Sequence, residues 1–379
     1  GPLSMRRALQ GSLNIPAVKT LYLVGFEKMY NTLEAFGYKT FAGRPENLSL
    51  ILGGSDVKLL EHTYAYATLA REGVSNPLTS ILKVTDKDGK TLLEWKETDG
   101  ERIFDKNAVR ILNNVLTDDS ARSYIFGRGS LLTLPDRPVA VKTGTTQDYR
   151  DAWTVGYTPS IATGVWVGTT DNSEMSRGAD GSIVAAPIWN TYMKKVLTGT
   201  PVETFNAPEI PKVDKPLLNG QIDELSVHTV DRLTGKIIPD SCLDTYPAEF
   251  KEERQFKETH TVLHYVDKTD PLGAVPSNPE ADPMYKAWED KVQRWARGQK
   301  GYLVNALEYA DCSLRSADSL PTVSITSPAN GSTQTQATFA ITASFAPGTN
   351  RTLTKVVYKI DDVTIDTETT APFTTDYQP

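Results

Sequence analysis

The chain has 379 residues, 39% of them hydrophobic, and a formal net charge of −7. That length and apolar content allow about two to three domains with substantial cores, and the acidic balance argues against nucleic acid and gives no reason to expect an anionic membrane surface as partner. No uninterrupted apolar run approaches the ~18 residues of a membrane span, so any membrane anchor is expected only outside these residues.

From the amino terminus, Asn14, which precedes Pro16, reads as a helix start, with Ser12 as a loop hydroxyl just ahead of it. Phe26, Met29, Tyr30, Leu33 and Phe36 recur at helical spacing and stop before Gly37. Ser80-Ile81-Leu82-Lys83 carries the letters Ser-x-x-Lys, but Ile81 and Lys83-Val84 alternate as a strand that turns at Asp86-Lys87-Asp88-Gly89. A serine nucleophile of this kind needs its lysine one helical turn away on the same face, which a strand does not provide. Asn107 to Leu116 predicts another short helix, with Val109, Leu112 and Leu116 as its apolar stripe.

Pro138-Val139-Ala140-Val141 is apolar and β-branched and leads into Lys142-Thr143-Gly144-Thr145. Trp153, Val155 and Tyr157 share one face of a second strand, Pro159-Ser160 makes a turn, and Ile161 to Gly168 reads as a third strand. A lysine, two hydroxyls and a glycine at the end of a buried antiparallel strand give a backbone that a ligand can approach closely. The helices are expected to pack on this antiparallel sheet.

Thr198 to Pro216, rich in Pro, Glu and Lys, reads as a linker. Beyond it, Gln221 to Thr229 predicts a strand, and Thr259 to Val266, β-branched and aromatic, a second. His260 and His264 invite a metal site, but on a strand they would stand ~13 Å apart, too far for one ion, so no metal is expected. Asp282, Pro283 and Gly298 bound a helix whose Met284, Trp288, Val292 and Trp295 line one face, which favours packing over stacking on sugars. Cys242 and Cys312 are too few for a disulfide framework; they either pair in an oxidising compartment or stay as buried thiols. From Pro321, strict alternation at Val323 and Ile325, at Phe339 to Phe345, at Val356 to Ile360, and at Val363 to Ile365 after Asp361-Asp362, predicts a β-sandwich with roughly five of its usual seven strands. This part resembles a bacterial immunoglobulin-like module.

Residues Gly1 to Val18, with Ser12-Leu13-Asn14, and Lys142-Thr143-Gly144-Thr145 resemble the second and third motifs of the transpeptidase domain of class A, bifunctional penicillin-binding proteins. Leu48 to Val74, Ile81 to Leu92 and Ala185-Ala186-Pro187-Ile188-Trp189 follow the family in order, so that the resemblance covers roughly residues 1–198. It implies an α+β transpeptidase portion (1–198), a linker (199–216), a family-associated domain of unknown role (217–318) and a truncated Ig-like β-sandwich (319–379). It also implies a D,D-transpeptidase that cross-links peptidoglycan stem peptides ending in D-Ala-D-Ala, is inhibited by β-lactams, uses no cofactor, and works at the extracytoplasmic face of the bacterial membrane. Ser12 would relay a proton, Asn14 bind the peptide backbone and Lys142 supply positive potential as the catalytic set. Thr143, Gly144 and Thr145 would bind the terminal carboxylate and form part of the oxyanion hole. The family's nucleophile, the serine of Ser-x-x-Lys, lies upstream of Ser-x-Asn, so the chain is expected to be cut from a longer protein and to be inactive alone. A wall-binding scaffold with a degenerate site, and a D,D-carboxypeptidase or β-lactamase-type hydrolase, are the alternatives.

Overall fold

The computed structural model describes all residues except 42–45, 97, 211, 304–308, 316–319, 350, 372 and 379, together with the side chains of 314 and 315. It divides into two compact units, Gly1–Gly220 with Asp267–Ala274, and Gln221–Val266 with Val275–Pro379.

In the first unit the order is α1 (Met5–Gln10), α2 (Asn14–Val24), α3 (Phe26–Ala35), α4 (Leu59–Ala70), β1 (Val74–Ser75), β2 (Lys83–Thr85), β3 (Thr91–Glu94), β4 (Glu101–Arg102), α5 (Lys106–Leu116), α6 (Asp119–Phe126), β5 (Ala140–Thr145), β6 (Asp151–Tyr157), β7 (Ala162–Gly168) and α7 (Ala186–Val196). The helices foreseen at Phe26–Phe36 and Asn107–Leu116 form within a residue or so of their expected ends. The Ser80–Lys83 segment enters the β2–β3 hairpin, in which Val84 pairs with Leu93, so its serine and lysine do not share a helix face.

Strands β5, β6 and β7 make a three-stranded antiparallel sheet in that order. Alternate residues of β5 bury on opposite faces. Val141 joins Leu132, Trp189 and Met193 on the α7 side, and Ala140 joins Leu116 and Tyr157 on the other. With both faces covered, the first half of β5 is fixed, and Lys142 to Thr145 emerge from it into partial exposure.

Thr198–Lys215 contains no helix or strand among its described residues, yet it is held along the first unit. Phe205 packs its ring edge on Tyr157, Asn206 donates to Glu72 Oε1 at 2.7 Å, and Glu209 exchanges backbone hydrogen bonds with the Asn107 amide. A composition of proline and charge marks the absence of regular structure; it does not show that the segment floats.

The second unit contains β8 (Glu224–Asp231), α8 (Asp240–Leu243), β9 (Lys251–Glu258), α9 (Val262–Tyr265), α10 (Tyr285–Ala296), β10 (Thr322–Ser327), β11 (Phe339–Ala346), β12 (Val356–Ile360), β13 (Val363–Glu368) and β14 (Thr374–Tyr377). Strands β8 and β9 pair antiparallel along their full length. Cys242 and Cys312 form a disulfide, which decides between the two states left open by the sequence. Helix α10 begins at Tyr285, with Asp282 Oδ1 accepting from the Met284 amide, so Pro283 precedes the first turn rather than occupying it. Trp288 is buried, as a packing role requires. The last five strands form a three-stranded sheet, β10-β11-β14, and a two-stranded one, β12-β13.

One expectation fails in this unit. Thr259–Val266 is not a strand: Val262–Tyr265 is a helical turn, and the His260 and His264 rings stack with centroids 4.0 Å apart. The buried Glu289 carboxylate causes it, accepting from the Thr261 amide at 2.8 Å, His260 Nδ1 at 2.8 Å and Gln293 Nε2 at 2.7 Å, while Leu263 and Tyr265 are drawn into the core. Tertiary packing overrides a weak β-propensity. The distance argument against a shared ion therefore falls, although face-to-face rings aim their in-plane nitrogen lone pairs along parallel planes rather than at one point.

Candidate active site

Ser12 is set by the way α1 ends. The Leu13 amide donates to Ala8 O and the Ser12 amide to Leu9 O, both at 3.0 Å, which is the paired closure that stops a helix with a left-handed residue. That residue is Ser12, at φ 53°, where glycine is the usual occupant. The turn exposes the Ser12 side chain, and Asn14 follows, also exposed, as the first residue of α2.

Lys142 meets Ser12 from the sheet. Its Nζ donates to Ser12 Oγ at 2.6 Å and to Thr143 O at 2.7 Å. Burial, assisted by the Arg122 guanidinium, pulls Lys142 down from its ordinary value to about 8. An ammonium in that range can both bind an anion and release a proton near neutral pH.

The rest of the strand is shaped from behind. Gly144 pairs with Trp153 across β5–β6. Behind them a π-turn, Gly181–Ala185, enters α7, and the Gly181 amide donates to Thr145 Oγ1 at 3.1 Å while Gly181 O accepts from Thr154 Oγ1 at 2.9 Å. A Cβ on Gly181 would lie 2.2 Å from Trp153 O and 2.7 Å from Gly144 O, so only glycine lets this turn approach. Thr145 Oγ1 uses a lone pair on Gly181 and keeps its own proton for a ligand. Among the described residues β5 pairs only with β6, leaving its other edge to accept an extended chain.

An aromatic stack supports Trp153. His62 lies edge-on to Trp153 and to Tyr66, with centroids 5.5 and 5.1 Å away, and Tyr38 OH meets His62 Nδ1 at 2.6 Å. Burial lowers His62 below the usual histidine value and raises Tyr66 to about 12. The sequence carries no signal for His62 or Arg122: a lone histidine or arginine in a polar-flanked helix does not reveal where it is buried.

The model of the penicillin binding protein transpeptidase domain matches residues 1–194, and that of a bacterial Ig domain matches 321–379. The chain belongs to the penicillin-binding protein transpeptidase family. Penicillin-binding protein 1A of Aquifex aeolicus is 38% identical over 212 residues, 55% of this chain and 28% of that protein. Its counterpart in Mycolicibacterium smegmatis is 40% identical over 179 residues, 44% and 22% respectively. The chain thus spans about a quarter of the length of these curated relatives. The penicillin-binding protein PonA1 from Mycobacterium tuberculosis superposes with a TM-score of 0.50 at 28% identity, covering 57% of this chain and 64% of that one. The fold of the first unit is that of the penicillin-binding transpeptidases, antiparallel sheet with helices, and the Ig-like module follows at the carboxyl terminus.

Proposed function

We propose that this chain carries the Ser-x-Asn and Lys-Thr-Gly half of a peptidoglycan D,D-transpeptidase, whose acyl-forming serine belongs to a Ser-x-x-Lys motif outside these residues. The observation that carries it is the 2.6 Å contact between Lys142 Nζ and Ser12 Oγ at the edge of β5.

In this reading the donor stem peptide lies along the outer edge of β5. Its terminal D-Ala carboxylate accepts hydrogen bonds from Thr143 and Thr145 in the field of Lys142, Asn14 holds its backbone, and the Thr145 amide supplies one donor to the oxyanion. As the serine attacks the penultimate carbonyl, the C–N bond breaks and the leaving D-Ala nitrogen needs a proton. The attacking serine's hydroxyl proton passes to the lysine of its own Ser-x-x-Lys motif, while Ser12 gives its hydroxyl proton to the leaving nitrogen and takes one from Lys142. Capture of the acyl-enzyme by an amine of a second stem peptide reverses these transfers. A β-lactam enters the same site because its carboxylate and strained amide imitate the D-Ala-D-Ala end. Residues 1–379 alone are expected to bind without acylating. The work would be done outside the cytoplasm, with the membrane anchor elsewhere in the protein.

The test is the full-length protein with a stem peptide ending in D-Ala-D-Ala and an amine acceptor. Release of D-Ala with formation of a cross-linked dimer is expected. Release without dimer makes the enzyme a carboxypeptidase, and no release at all leaves the wall-binding scaffold.

A further inference from the structure

Helix α1 has six residues, too few to be stable by itself, so what it packs on decides where its last turn puts Ser12. It packs on the corner between α5 and α6. Arg6 Nη2 donates to Asn114 Oδ1 at 2.6 Å and its Nη1 to Asp118 Oδ2 at 3.1 Å. Gln10, buried two residues before Ser12, donates Nε2 to Val115 O at 2.6 Å and to Asp118 O at 3.0 Å. These contacts fix the helix, but none of them involves Gly11, the link between it and Ser12.

Tyr124 reaches Gly11 from α6. Its hydroxyl donates to Arg7 O at 2.8 Å, the same carbonyl that accepts from the Gly11 amide at 2.8 Å. The fit is so close that a Cβ on Gly11 would lie 1.8 Å from the hydroxyl oxygen and 2.6 Å from the ring carbon that bears it. The Arg7 guanidinium covers the ring, 4.6 Å from its centroid, and helps hold the tyrosine in this pose. Tyr124 is nevertheless 41% exposed, so little of the core depends on it. Nor does Arg7 O need the hydroxyl to be satisfied, since the Gly11 amide already serves it.

Ser12 is a residue that gains from being held. It stands in a left-handed conformation at φ 53°, kept there by two backbone bonds, its own amide to Leu9 O and the Leu13 amide to Ala8 O. Such a conformation persists only where its neighbours over-determine it. A drift of about 1 Å would break the 2.6 Å contact with Lys142 Nζ. We propose that Tyr124 is a positioning residue for Ser12: its hydroxyl, seated against Gly11 on Arg7 O, locks the left-handed turn and thereby holds Ser12 Oγ on Lys142. The part this lock plays in acyl transfer rests on the transpeptidase reading; the lock itself does not.

Hydrogen exchange of the Ser12 and Leu13 amides in residues 1–379 reads the lock directly. In Tyr124→Phe, which keeps the ring and loses only the hydroxyl, both should exchange about three- to tenfold faster, the worth of one hydrogen bond expressed as a rate, while the amides of α5 keep their wild-type rates. Gly11→Ala, whose methyl takes the hydroxyl's place, should produce the same acceleration with Tyr124 intact. Unchanged exchange at Ser12 and Leu13 in Tyr124→Phe overturns the proposal and leaves the transpeptidase reading standing. In the full-length protein, Tyr124→Phe should lower the saturating rate of penicillin acylation about tenfold, with the half-saturating concentration and the melting temperature nearly unchanged, a split that a merely structural role does not give. An unchanged saturating rate overturns the positioning role even where the turn has loosened. Failure of the wild-type protein to acylate contradicts the transpeptidase reading instead, and the exchange rates still decide whether Tyr124 holds the turn.

Discussion

Lys142 Nζ and Ser12 Oγ stand 2.6 Å apart although 130 residues separate them in sequence, and Ser12 reaches that position in a left-handed conformation, at φ 53°. A non-glycine residue there costs about 1 kcal/mol or more. Ser12→Gly should therefore stabilise the fold by roughly 0.5–1 kcal/mol, seen as a higher urea midpoint. In the full-length enzyme the same change should slow acyl transfer by about a hundredfold or more, the usual loss when a positioned proton carrier is removed.

Lys142 is a second site where stability is given up. Its folded value of about 8 lies below the ordinary 10.5. Between those two values the unfolded chain holds more protons, so stability should rise with pH across that window, and below about 8 the full cost is present. Lys142→Met should remove this dependence and raise the melting temperature at neutral pH while abolishing carboxylate binding. Thermal melts from pH 7 to 10.5 on both proteins check it.

His62 behaves in the same sense at lower pH. Burial holds it below 6.5, with its Nδ1 against Tyr38 OH. As pH falls through 6.5 and then through the folded value, the unfolded state takes up the proton first, so stability is lost progressively on acidification. His62→Gln should flatten the melting temperature between pH 7 and 5. A wild-type curve already flat across that range would contradict the buried neutral imidazole.

Gly181 should tolerate no side chain. Gly181→Ala forces a Cβ into Trp153 O and Gly144 O, at 2.2 and 2.7 Å. A cost of about 1–3 kcal/mol is expected from such overpacking. The displaced atoms belong to the Lys142–Thr145 strand and its partner, so the resonances of Gly144 and Thr145 should shift more than those of β7. Denaturant melts and amide spectra read both effects.

The Cys242–Cys312 disulfide closes a loop with a sequence separation of 70. Chain entropy assigns about 4 kcal/mol to a loop of that size. Cys242→Ser should lower the transition of the second unit and leave that of the first unchanged, as calorimetry with and without reductant would show.

The parts of this structure that could be read in the sequence are those whose cause is local. β5 and β6 announce themselves by an apolar, β-branched lead and by residues spaced two apart, β7 by a nearly continuous apolar run, and α3 and α5 because their apolar residues recur at helical spacing. Ser12 illustrates the limit: its letters say loop, and only the closure of α1 onto Ala8 and Leu9 makes it a fixed left-handed residue. Thr259–Val266 misleads because its fold is decided by Glu289, about thirty residues further on. Arg122, flanked by Asp118, Asp119 and Ser120, reads as surface; the carbonyls of Leu116 and Leu132 bury it. The strap through Phe205 is likewise set by Tyr157, in a different element.

The most direct measurement is covalent labelling by a fluorescent penicillin, comparing the full-length protein with its Lys142→Ala variant and with residues 1–379 alone. The full-length protein should label, Lys142→Ala should label at least about a hundredfold more slowly, and the isolated chain should not label. Undiminished labelling of Lys142→Ala would contradict the role given to the Lys142–Ser12 contact, and labelling of the isolated chain would place the nucleophile among its own serines, with Ser80 the first to examine.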